Sequence, residues 1–141
     1  MATGEIRVVA GVICRGNTVL CMQRGKGKAE ETSFRFEFPG GKIEDGETAP
    51  EALRRELREE LNLNVRVTEQ DRFMTVTHSY EAFTIHMDCF WVQYPEDGNA
   101  TFCYREHVSH RWMERDRIQE LAWAPADVAV MEKVRETSEK A

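Results

Sequence analysis

Three glutamates, Glu56, Glu59 and Glu60, stand at positions i, i+3 and i+4 of one stretch of this 141-residue chain. On a helix those spacings bring all three side chains to one face, where each like-charged pair costs roughly 0.2–0.5 kcal/mol. Folding alone does not call for such an arrangement. A hard divalent cation relieves the repulsion, because Mg²⁺ and Mn²⁺ take carboxylate oxygens as ligands. Cations held on carboxylates can neutralise a bound anion and make a water nucleophilic. The plain alternative is a solvated acidic face, partly neutralised by Arg54, Arg55 and Arg58.

These glutamates need a helix, and the sequence supplies its punctuation. Thr48 with Glu51 three residues later matches a capping box, and Pro50 falls in the first turn, where its missing N–H does little harm. Ala49, Leu53, Leu57 and Leu61 trace an apolar stripe, and Asn62 is a tolerable left-handed stop. Upstream, Ile6–Cys14 and Thr18–Gln23 flank the turn Gly16-Asn17 and predict a hairpin. An exposed loop is expected over Gly25–Ser33, then a half-buried strand over Phe34–Phe38, ended by Pro39-Gly40-Gly41. Downstream, Leu63–Val67, Phe73–Ser79 and Thr84–Tyr94 read as strands, and Pro95–Asn99 reads as a loop. His110–Met113 predicts a short strand and Ala126–Thr137 a closing helix. Strands outnumber helices and do not alternate with them, so the class is α+β: a mixed sheet packed by two helices, in a single domain over residues 1–141.

The totals narrow the partners. A net charge of −6 offers no basic footprint for a nucleic-acid polymer. Cys14, Cys21, Cys89 and Cys103 form no Cys-x-x-Cys pair and read as reduced thiols rather than as disulfides or zinc ligands. The histidines, His78, His86, His107 and His110, share no metal-ligand spacing. No apolar run reaches the ~18 residues of a membrane span, and Met1–Arg7 lacks the order of a signal peptide, so a cytoplasmic location is expected.

The stretch Gly40–Leu63, GGKIEDGETAPEALRRELREELNL, resembles the Nudix box, Gly-x5-Glu-x7-Arg-Glu-U-x-Glu-Glu-x-Gly-U, where U is a bulky aliphatic residue. Gly41, Glu47, Arg55, Glu56, Leu57, Glu59, Glu60 and Leu63 fall in register, and Asn62 alone replaces a specified residue, the glycine stop. The resemblance implies a magnesium-dependent pyrophosphohydrolase, with Mn²⁺ as a substitute, on an α/β/α sandwich with a mixed central sheet. It implies metal ligation by Glu56, Glu59, Glu60 and the Gly40 carbonyl, and a supporting role for Arg55 with Glu47 as partner. Arg105-Glu106 with Trp112 six residues beyond is similar to the MutT branch and implies Glu106 as a ligand or general base, a role for which Glu59 competes. Arg24 and Lys42 fall where phosphate contacts are expected. Each is otherwise an ordinary solvated base, as Glu106 is otherwise a loop acid.

Phe36–Glu44 and Ala124-Pro125-Ala126-Asp127-Val128 extend the resemblance to MutT-like proteins and CTP pyrophosphohydrolases, in which the polar residue of the second element reads the base. An ionised Asp127 only accepts, which favours the amino group of cytosine and so CTP, dCTP or a modified pyrimidine nucleotide. A protonated Asp127 imitates the asparagine that suits 8-oxo-dGTP, and a helix N-cap is its structural alternative. Tyr80, Phe83 and Phe34 are candidates for stacking on the base, with core packing as the alternative for each. Other nucleoside-diphosphate-linked substrates and a non-catalytic nucleotide-binding module also remain open, as does the choice between monomer and homodimer.

Overall fold

The mixed sheet is organised by one long parallel pairing. In the computed structural model, described for residues 4–27, 30 and 32–137, β1 (Gly4–Arg15) runs parallel to β6 (Phe83–Gln93) from Gly4↔Phe83 to Cys14↔Gln93. The other strands are β2 (Thr18–Arg24), β3 (Phe36–Glu37), β4 (Gly40–Lys42), β5 (Arg72–Ser79) and β7 (His107–Glu114). All their pairings are antiparallel, in the order β3-β2-β1-β6-β5, with β4 on β1 and β7 on β2. Residues 28, 29 and 31 of the expected loop, and residues 1–3, lie outside the described residues.

Alternation along β1 sends side chains to both faces of the sheet, so each face carries its own core. Val9, Ile13, Leu20, Phe90 and Val92 meet Leu53, Leu57 and Leu61 of α1 (Ala49–Leu61) on one face. Ala10, Val12, Val19, Cys21 and Cys89 meet Ala126, Val130 and Val134 of α2 (Pro125–Glu136) on the other. The α/β/α sandwich follows from that division. Cys14, Cys21, Cys89 and Cys103 are free thiols, the first three buried. Among the described residues no helix is long and apolar enough to cross a membrane.

Several elements depart from the sequence reading. The strand expected over Phe34–Phe38 shrinks to two residues, because Phe34 takes a positive φ of 60° and turns out to solvent, 53% exposed. Gly40 and Gly41, read with Pro39 as a strand stop, instead open the strand Gly40–Lys42, and a Cβ on Gly40 would collide with the Val9 carbonyl. Leu63–Val67 joins no ladder. Its Leu63, Val65 and Val67 are buried in the α1 core, and the Val67 carbonyl accepts from Arg54 Nη1 at 2.6 Å instead of from a strand. The short strand expected at His110–Met113 runs from His107 to Glu114. Asp127 is not the cap of α2, since Ala124 occupies that position without a side-chain bond and Asp127 lies inside the first turn.

Candidate active site

The helix that carries the glutamates is fixed at both ends by the residues that predicted it. Thr48 Oγ1 accepts from Glu51 N while Glu51 Oε1 accepts from Thr48 N, and Asn62 closes the helix at φ 55° and ψ 37°. Strand β4 lies against this helix so closely that a Cβ on Gly41 would fall on the Glu56 carboxyl group. Glycine at position 41 is therefore the room that the carboxylate occupies.

Arg55 ties the loop, β4 and α1 into one unit. Its Nε and Nη2 donate to the two oxygens of Glu47 at 2.6 and 3.0 Å, and Nη2 also donates to the Lys42 carbonyl at 3.0 Å. Nη1 reaches Glu56 Oε2 at 3.1 Å and Glu59 Oε1 at 3.4 Å. The guanidinium holds Glu47 below the usual carboxylate range, helped by the bond that Glu47 accepts from Glu44 N. The Glu47–Arg55 partnership expected from the sequence is thus present as a two-pronged pair.

The three glutamates are not equivalent. Glu56 and Glu60 are partly buried between helix and sheet, whereas the Glu59 side chain is 40% exposed and drawn to Arg55. Burial raises the Glu56 carboxyl, and burial followed by the charge of Glu56 lifts Glu60 to about 7. Among the described residues no three acidic, His or Cys side chains are already gathered into a ligand group. Two features nevertheless fit a hard divalent cation. Glu60 Oε1 is buried with no hydrogen-bond partner among the described residues, and the carboxylates of Glu56 and Glu106 are close enough to act on it, oxygen donors of the kind a hard cation takes.

Facing this helix, the backbone carbonyl of Glu106 accepts from Gly25 N at 2.9 Å, and its side chain, 68% exposed, lies 3.6 Å from Arg24 Nη1. Arg24 also donates to Glu37 Oε2 at 3.2 Å, so the expected phosphate contact is engaged by two carboxylates. The Lys42 side chain is exposed. Tyr80 and Phe83 pack together with ring centroids 5.2 Å apart, and the buried Tyr80 accepts on its hydroxyl from Ala126 N at 3.1 Å. Tyr80 thereby steadies the start of α2 next to Asp127. Exposed Phe34 is not brought to that pair.

Asp127 is buried, and its Oδ2 accepts from Phe38 N at 3.0 Å. Burial first, and then the charge of Glu37, pushes its carboxyl well above the usual range. Glu37 and His107 were not singled out by the sequence reading. His107 is buried with Nε2 at 2.7 Å from Glu37 Oε2. The available signals were the alternation that turns Glu37 away from Phe36 and Phe38, and the place of His107 directly after Glu106.

Comparison with known proteins agrees with this geometry. The NUDIX domain family matches residues 5–134. A CTP pyrophosphohydrolase of Escherichia coli is 33% identical over 129 residues, covering 90% of this chain and 89% of the relative. An 8-oxo-dGTP diphosphatase of Proteus vulgaris is 40% identical over 89 residues, 62% of this chain and 76% of the relative. The solution structure of the E. coli ORF135 protein superposes with a TM-score of 0.76 at 28% identity, covering 99% of this chain and 96% of that one. With the box in register on α1, the sheet between two helices and a match along nearly its whole length, the chain belongs to the Nudix family of hydrolases.

Proposed function

We propose that the protein hydrolyses a nucleoside triphosphate to a nucleoside monophosphate and pyrophosphate in the cytoplasm, with Mg²⁺ as the metal and a cytidine nucleotide as the favoured substrate. The observation that carries the reading is the buried, unpartnered Oε1 of Glu60 beside Glu56 on a helix pinned to β4. Glu56, Glu59, Glu60, Glu106 and the Gly40 carbonyl are the oxygen donors that would hold the cation. When bound, Mg²⁺ supplies charge neutralisation on the phosphate oxygens and lowers the cost of deprotonating water. Glu106 or Glu59 takes the proton from the attacking water, whose oxygen bonds to phosphorus as the P–O bond to pyrophosphate breaks. Arg55 keeps Glu56 and Glu59 aligned through that change of charge. Arg24 and Lys42 are the cations within reach of the phosphate tail.

Asp127 is the base-reading group of this proposal. Burial pushes its carboxyl well above the usual range, and in the protonated form it offers an O–H donor and a carbonyl acceptor side by side, complementary to N3 and the N4 amino group of cytosine. If it ionises it still accepts from N4. Glu37 adds a second acceptor nearby, and Tyr80 with Phe83 forms an aromatic wall at the start of α2. The same donor and acceptor also suit O6 and N7–H of 8-oxo-dGTP, a reading favoured by the similarity to the Proteus vulgaris diphosphatase. The test is steady-state hydrolysis with Mg²⁺ over a panel of triphosphates including dCTP and 8-oxo-dGTP, with EDTA as control. A pronounced preference for one base is expected, and equal rates on every triphosphate sink the role of Asp127. Turnover is expected to vanish in Glu60→Gln with nucleotide binding kept, whereas unchanged turnover removes the metal site from the reading and no turnover in the parent leaves a binding module.

A further inference from the structure

His107 opens β7 with its imidazole turned inward, only 6% of the side chain being exposed. A carboxylate accepts and does not donate, so the 2.7 Å contact is His107 Nε2–H donating to Glu37 Oε2. Arg24 Nη1 donates to that same oxygen at 3.2 Å. Two donors on one oxygen fix the direction of the carboxylate, and Glu37 Oε1 is left without a hydrogen bond among the described residues. Glu37 exerts the strongest charge on Asp127, and both Glu37 and His107 act on Glu60. Glu37 directly precedes Phe38, whose N–H donates to Asp127 Oδ2 at 3.0 Å, so the His107–Glu37 pair joins the base-reading group through one residue of backbone. An apolar residue would fill a buried site without an N–H that has to be satisfied, so the imidazole is there for its bond.

Resting on the base-reading role given above to Asp127, we propose that His107 is a positioning residue for substrate discrimination. Bonded through Nε2 to Glu37, it holds that carboxylate beside Asp127 and in register with the α1 glutamates. A base is then read at one fixed distance from the phosphate-binding helix. His107 itself touches neither substrate nor metal.

The test compares dCTP and dUTP, which differ at the amino group read in the pocket, for the parent, His107→Leu, His107→Gln, Glu37→Gln and the His107→Leu/Glu37→Gln double variant. His107→Leu is expected to raise KM for dCTP about tenfold with kcat changed less than about threefold, the loss of one hydrogen bond to a charged group. Its constants for dUTP should hardly move, so the dCTP preference falls by about the same factor. His107→Gln, which keeps an N–H, should recover most of the preference, and the double variant should lose no more than the worse single one. Should His107→Leu not fold, His107→Asn, too short to reach Glu37, carries the same expectation. An equal loss of kcat on both nucleotides, or an unaltered preference, overturns the proposal. A parent without any preference for dCTP over dUTP removes the role of Asp127 and this proposal together, whereas a preferring parent whose His107 variants prefer equally well removes this proposal alone.

Discussion

Arg55 grips Glu47, at the end of the loop that leads into its own helix, with two hydrogen bonds 2.6 and 3.0 Å long. The same guanidinium spans Glu56, Glu59 and the Lys42 carbonyl, so one side chain sets the spacing between α1 and β4. Replacing it with Lys keeps the charge and loses the fork. Arg55→Lys is expected to lower kcat about 10–100-fold, the usual cost of removing a group that orients metal ligands, with little change in melting temperature. Single-turnover kinetics and circular dichroism measure the two, and wild-type rates would show that the fork is dispensable.

Gly41 has no room for a methyl group, because the Glu56 carboxyl group stands where a Cβ would be. Gly41→Ala is expected to displace Glu56 from β4 and to weaken Mg²⁺ or Mn²⁺ binding at least about tenfold. Isothermal titration with the metal alone reads this directly. Equal metal affinity in the variant would mean that Glu56 does not ligate.

Glu60 carries a pH signature. Its carboxyl is lifted from 4.5 to about 7 by burial and by Glu56. A group with a raised folded-state pKa stabilises the fold fully below its unfolded value and loses that contribution as pH rises through the folded value. Metal-free protein should therefore lose stability between about pH 4.5 and 7. Glu60→Gln should flatten that slope and, at pH 8 in EDTA, exceed the parent by on the order of 1–2 kcal/mol after allowance for screening. Urea denaturation at pH 5 and 8 checks it; a less stable variant at pH 8 contradicts the assignment.

Asn62 stands in the left-handed region where the family motif places glycine. Asn62→Gly should be close to neutral, whereas Asn62→Ala should cost about 1 kcal/mol, since an alanine Cβ is strained there and has no compensating polar contact. Thermal melts of the two variants decide it, and equal melting temperatures would remove the argument from backbone strain.

The glutamate-bearing helix was legible from end to end because every signal for it is local. Thr48, Glu51, Pro50 and Asn62 act within a turn of the positions they specify, and the glutamate spacing is a property of the helix itself. What remained hidden depends on partners distant in the chain. The pairing of Gly40 with Ala10 cannot be read from a Pro-Gly-Gly triplet that also fits a turn. Leu63–Val67 has the alternation of a strand, but a ladder needs a neighbour and here the neighbour is the side of α1. Phe34 continues the alternation of Phe36 and Phe38, and only its backbone geometry breaks it. Glu37 and His107, separated by 70 residues, carry no mutual signal until the sheet brings them together.

The parallel alignment of β1 with β6 has a consequence for synthesis. The helix bearing Glu56, Glu59 and Glu60 is complete at Leu61, yet the strand that buries the other flank of β1 ends only at Gln93. A nascent chain therefore exposes this acidic helix for some thirty residues of elongation, on the order of a few seconds at ribosomal speeds. Hydrolytic competence is expected to arrive abruptly, and ribosome-bound intermediates should be inert towards nucleotides until β7 and α2 have emerged.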